Sequence, residues 1–131
     1  MATLTNLNGV EITFNPAGIV AISDHDDSTG EPHTLIFGIA DGRTLTAEGV
    51  DEFMGRLNLA NEFAKLTRPD GWPVWIRAAA VSIVTAALPS DASLPTKKPI
   101  KSIVRAGSLR QAVAETPGEA IAALNARGAK L

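Results

Sequence analysis

The side chains best suited to chemistry in this 131-residue chain sit close together: Asp24, His25, Asp26 and Asp27, followed by Glu31 and His33. Carboxylates and imidazoles at that density could hold a divalent cation. A calcium loop needs oxygen ligands at its first, third and fifth positions, glycine at the sixth and glutamate at the twelfth. Counted from Asp24, the first three are Asp24, Asp26 and Ser28, but the sixth is Thr29 and the twelfth Leu35. The pattern fails, and a solvated acidic loop is the better reading. The chain has no cysteine, which removes sulfur-ligated metal sites, thiol catalysis and disulfides together. Neither a metal nor a cofactor is expected.

Nucleophilic catalysis needs a nucleophile, a base and an orienting group within mutual reach. Both histidines belong to the one acidic stretch, so the serines elsewhere lack a base. The expectation is a chain that is not an enzyme. Lys97-Lys98-Pro99-Ile100-Lys101 gathers three positive charges that could touch phosphate. It has no interleaved aromatics and no glycine-rich loop. A net charge of -2 supplies no field to attract a nucleic acid.

Trp72 and Trp75 are more informative. Side chains alternate faces along a strand, so Trp72, Val74 and Ile76 share one face while Trp75 and Arg77 take the other. Tryptophan and arginine are favoured anchors at protein interfaces. Trp75 and Arg77, with Pro95, Lys97 and Lys98 from a proline-rich loop, therefore form the candidate partner-binding set. A second reading has Trp75 sealing a joint within the chain.

The elements that position these residues come from an internal repeat. Laying Leu66-Thr67 over Leu4-Thr5 also lays Gly71 over Gly9, Val74 over Ile12, Ile76 over Phe14, Val81 over Ile19 and Val84 over Ile22. Further on, after a longer middle loop in the second copy, Arg110 overlies Arg43, Glu115 overlies Glu48, and Leu124-Asn125 overlies Leu57-Asn58. In this register Thr13 and Asn15 stand where the second copy has Trp75 and Arg77.

Each copy reads as a hairpin, a strand, a loop, a strand pair and a closing helix. Asn8-Gly9 and Pro69-Asp70-Gly71 are hairpin turns. Third strands follow over Gly18 to Ser23 and Ala79 to Thr85, then the dissimilar loops Asp24 to Pro32 and Ala86 to Pro99. The strand pairs run from His33 to Ala47 around Asp41-Gly42, and from Ile100 to Ala114 around Gly107-Ser108. Thr116-Pro117-Gly118-Glu119 opens the last helix with a cap, a proline and a glutamate three residues after the cap. Leu57 and Leu124 are the expected equivalent buried anchors of the two helices.

The predicted fold is α+β and mostly antiparallel, as two tandem modules, 1–62 and 63–131, around one shared core. With 45% apolar residues and a mean hydropathy of +0.11 the chain can fold. Its start, MATLTNLNG, has neither the basic nor the apolar region of a signal peptide. No apolar run approaches the ~20 residues of a membrane span. A soluble chain in the cytoplasm, or in a virion if phage-encoded, is expected.

At Leu7-Asn8-Gly9, Asn15-Pro16, Ile19, Ile22, Asp41-Gly42 and Glu52 the first copy resembles the FlbD-like family of short bacterial proteins encoded among flagellar genes. The second copy, LTRPDGWPVWIRAAAVSIV, resembles short proteins of alphaproteobacteria and their phages. These residues are turn and core positions, so the resemblance implies a fold. Two functions are expected. One is a non-catalytic structural protein acting through protein–protein contacts, such as a subunit of a bacteriophage head or tail. The other, implied by the resemblance, is a cytoplasmic accessory or regulatory binding protein linked to flagellar motility.

Overall fold

A computed structural model describes residues 1–26, 32–39 and 43–131, leaving aside the side chains at 25, 26 and 32. The turn Asp41-Gly42 lies outside the described residues. The first half contains β1 (Ala2–Thr5), β2 (Glu11–Phe14), β3 (Ala21–Asp26), β4 (Pro32–Phe37), β5 (Arg43–Thr46) and α1 (Val50–Leu57). The second contains β6 (Phe63–Thr67), β7 (Pro73–Arg77), β8 (Val81–Ala86), α2 (Pro89–Ala92), β9 (Ser102–Ala106), β10 (Leu109–Val113) and α3 (Pro117–Asn125). The fold is α+β, with antiparallel strand pairing throughout the described sheets.

The repeat is visible in detail. Gly9 and Gly71 turn the two hairpins with φ of +80° and +91°, a region that glycine enters without steric cost. A single 3-10 turn, Pro16–Gly18 or Ala78–Ala80, follows each hairpin. The third strands therefore begin later than expected, at Ala21 and Val81. The register Ile22↔Ile36 in one half is Val84↔Val104 in the other. Each half also buries one hydroxyl at the start of its fourth strand. Thr34 donates to the carbonyl of Glu48, and Ser102 donates to that of Glu115, 2.7 Å away. Both residues are fully buried, so each bond holds the chain segment that leads into the closing helix.

The halves are joined through a sheet. β6 and β7 do not stay with the strands that follow them; β7 pairs with β3, giving a five-stranded sheet β5-β4-β3-β7-β6. The joint is in register at Ala21↔Ile76, Ile22↔Trp75 and Ser23↔Val74. It lengthens further where the Arg77 N–H donates to the Val20 carbonyl. Its equivalents in the other arrangement remain apart. β1 and β2 form a two-stranded sheet, and β10-β9-β8 a three-stranded one.

Core residues lie on both sides of the shared sheet. Side chains of opposite parity point to opposite faces of a strand. Ile22, Ile36 and Phe63 join Leu4, Phe14, Phe53 and Met54 under α1. Ala21, Ala64, Val74 and Ile76 join Val104, Val113, Ala120 and Leu124 under α3. In place of one shared core there are two, each containing residues from both halves. A sheet buried on both faces necessarily divides the apolar interior.

Several expectations change in the folded chain. Asp24, His25 and Asp26 belong to β3, where Asp24 stands opposite Thr34 and His25 opposite His33. They are not loop residues. Asp27 and Glu31 lie outside the described residues. Leu124 is fully buried, but Leu57 is only partly so. In α1 the apolar volume is carried one turn earlier by Phe53, whose ring stacks on Phe14 with centroids 6.3 Å apart. Its equivalent in α3 is the small Ala120. The proline-rich loop contains one helical turn, α2, where the Asp91 carboxylate accepts from the Leu88 N–H.

The start of α3 is the capping box expected there. The Thr116 hydroxyl accepts from the Glu119 N–H at 3.2 Å, and the Glu119 carboxylate accepts from the Thr116 N–H at 3.0 Å. These bonds to Thr116 hold the Glu119 carboxyl below its usual pKa. A depressed folded-state pKa favours the folded state above the unfolded value of ~4.3, and that gain disappears as pH falls through the lower folded value. The stability difference between the native chain and Glu119→Gln should therefore shrink on acidification in this range. Thermal midpoints of the two proteins measured across pH check it, and a difference that is constant with pH would contradict the cap assignment.

Candidate functional site

Among the described residues no group of three or more histidine and carboxylate side chains is placed to hold a metal ion. A cleft of about 820 Å³ lies between the shared sheet and the second half. Ala21, Ser23, Leu35 and Phe37 form one wall, and Leu109 to Ala112 of β10 the other. The β6–β7 turn and the proline-rich loop close its end through the Lys98 N–H, which donates to the Pro69 carbonyl at 2.9 Å.

The chemistry of this cleft is limited by what its charged groups already hold. Arg68 pairs with Asp70 at 2.6 Å and also donates to the Asp24 carbonyl. Arg110 pairs with Asp91 at 3.0 Å. Asp70, the acid among the described lining residues, is thus an ion-pair partner. Ser23 and Thr96 supply hydroxyls, but the described lining includes no histidine to act as their base. The wall is an apolar surface framed by arginines.

The five residues expected to face a partner divide into two places. Pro95 and Lys97 line the cleft, and Lys98 is exposed beside them. Trp75 and Arg77 are at the joint between the halves. Trp75 stands opposite Ile22 and packs on the core under α1, with the Lys65 ammonium 5.6 Å from its ring centre. Arg77 donates to the carbonyls of Ile19 and Pro16, both at 2.7 Å, and pairs with Glu62 at 3.1 Å. Its guanidinium lies 4.7 Å from the centre of the Phe63 ring. The joint reading of Trp75 is the one its surroundings match.

Trp72 departs from the face pattern in the opposite sense. It precedes β7, is 42% exposed and lines the cleft, although its parity matches the buried Val74 and Ile76. Its N–H is held by the Asp70 carboxylate in the turn. Sequence reasoning missed this exposed ring because strand alternation was extended through a proline that marks the strand's first residue.

Sequence reasoning also missed the outer edge of β8. This strand ends the β10-β9-β8 sheet, and among the described residues its outer edge has no hydrogen-bonded strand. Its sequence, VSIVTA, is rich in β-formers and contains no charge and no proline. Ile83 on this strand is 46% exposed, whereas Ala21 at the equivalent position of β3 is buried. In the repeat Ala21 and Ile83 share a position, and among the described residues β3 has a second strand neighbour where β8 has none.

The chain matches no known family model, no curated protein and no solved structure. Among the described residues no helix is long and apolar enough to cross a membrane.

Proposed function

We propose that this chain is a non-catalytic assembly subunit that works through contacts with other protein chains. A component of a large particle such as a bacteriophage head or tail is the setting that suits it. The open edge of β8 carries this reading. Proteins that remain single guard such edges with lysine, proline, short length or a covering element. β8 has six residues, none of them a charge or a proline, and its one register shift lies at the start, between Val81 and Ile83. An open ladder of this kind offers backbone donors and acceptors to a further strand, with side-chain contacts setting specificity. The cleft framed by Trp72 and the arginines adds a second surface fitted to contact.

The test is the mass of the native species. In extract from its natural source the chain should elute in a complex well above its own 13.7 kDa. Elution at the monomer mass, both in extract and after purification, would overturn the assembly role.

A further inference from the structure

Within the chain, the hairpin of the second half completes the sheet of the first. β7 lies along β3, so Ala21, Ile22 and Ser23 are each flanked by two strands. The repeat makes β8 the counterpart of β3 and β2 the counterpart of β7. Among the described residues both counterparts are left with an unpaired outer edge. Within one chain β2 and β8 belong to separate sheets, and the first hairpin packs on its own half. The Thr46 hydroxyl donates to the Thr5 carbonyl at 2.9 Å, Asn6 bridges to Thr46, and Leu4 and Phe14 are buried with α1.

We infer that β2 of a second copy of this chain pairs with β8, continuing between molecules the interface that β7 and β3 form within one. This rests on the assembly reading above and names its partner. The register follows from the repeat: Ile83 opposite Phe14, Val84 opposite Thr13 and Thr85 opposite Ile12. Holding the hairpin at home is no obstacle, since the second hairpin is held in the same manner. There the Ala114 N–H donates to the Thr67 carbonyl, while the far edge of β7 still reaches β3.

Three observations fit this occupant. The exposed Ile83 would be covered as its counterpart Ala21 is covered, by a hairpin and the core behind it. The two edges belong to different surfaces of the chain, so the contact is head-to-tail. Such contacts build open filaments or closed rings according to the rotation between copies. Finally, the joint lacks the anchors of the internal one. Thr13 is exposed where Trp75 packs, and Asn15 caps the following turn where Arg77 grips two carbonyls. The ladder is retained and the anchors are lost. The junction between copies is therefore weaker than the internal joint and depends on concentration.

Complementary blocking variants test it by sedimentation of the purified full chain. The native protein should associate progressively with concentration. Ile83→Lys blocks the β8 side and Thr13→Lys blocks the β2 side, and each should weaken self-association at least about tenfold. Both positions are exposed in the single chain, so melting temperatures should stay at the native value. Should Ile83→Lys melt early, Thr85→Lys, also exposed, takes its place. Mixed in equal amounts, the two variants each retain one usable edge and should form a pair of two chains and nothing larger. Thr13→Trp, which restores the missing ring, should tighten association of the native chain. A purified chain that stays monomeric at all concentrations overturns the inference. So does a mixture of variants that forms no pair. If the monomeric chain still belongs to a large complex in native extract, the assembly role survives and only the identity of the partner is wrong.

Discussion

Phe53→Ala is expected to lower the unfolding free energy by about 3–5 kcal/mol, the range for removing a fully buried aromatic ring. Phe53 has no exposed surface and stacks on Phe14 with an angle of 21° between ring planes. Its loss removes apolar contact and leaves a cavity between α1 and the first hairpin. Val50 and Met54 stay buried on α1, so the loss measures the ring's own contacts and the cavity it leaves. Urea denaturation provides the measurement. A midpoint shift no greater than that caused by truncating the partly buried Leu57 would show that α1 is not held as described.

Arg77→Ala is expected to cost about 3 kcal/mol or more, since hydrogen bonds involving a charged group contribute roughly 1.5–3 kcal/mol each. The side chain of Arg77 is only 12% exposed, so solvent screens it little. It donates to Ile19, which is fully buried, and to Pro16. Without the guanidinium the Ile19 carbonyl loses a partner in a place water reaches poorly. Arg77→Lys should recover only part of the loss, because an ammonium lacks the planar fork that reaches both carbonyls. Calorimetry should show a lower melting temperature with a single transition. Two separated transitions in the native protein would mean the halves are not coupled through this joint.

Much of the fold was legible because its signals are local. Asn8-Gly9 and Pro69-Asp70-Gly71 announce hairpins through the backbone conformation their glycines allow, and both hairpins are present. Thr116 and Glu119 announce the start of α3 through hydrogen bonds spanning three residues. The order of elements in each half follows from these and from strand alternation. The partnership of β7 with β3 was not legible, because nothing near Trp75 in sequence says that Ile22 will lie beside it. The candidate site suffered most from this. Trp75 and Arg77 have the composition of an interface, and they form one, but it is internal to the chain. The open edge of β8 is a property of what is missing beside a strand, which residue types alone do not encode. Phe53 and Ala120 show a further limit: equivalent helix positions can exchange large and small side chains when the facing surface changes with them.

The crossing of β7 onto β3 also has a bearing on synthesis. A ribosome delivers the first half in full before β7 exists, and β3 must wait with one edge uncovered. Closing that edge brings together residues separated by most of the first half, a slow kind of contact to form. During the delay a nascent chain presents the same kind of open strand on β3 that the finished chain keeps on β8. Neighbouring nascent chains on one message could then exchange hairpins, with β7 of one pairing with β3 of the next. Such exchange would place the strong, arginine-anchored joint between molecules. Slower translation between α1 and β7 should accordingly raise the yield of these exchanged species.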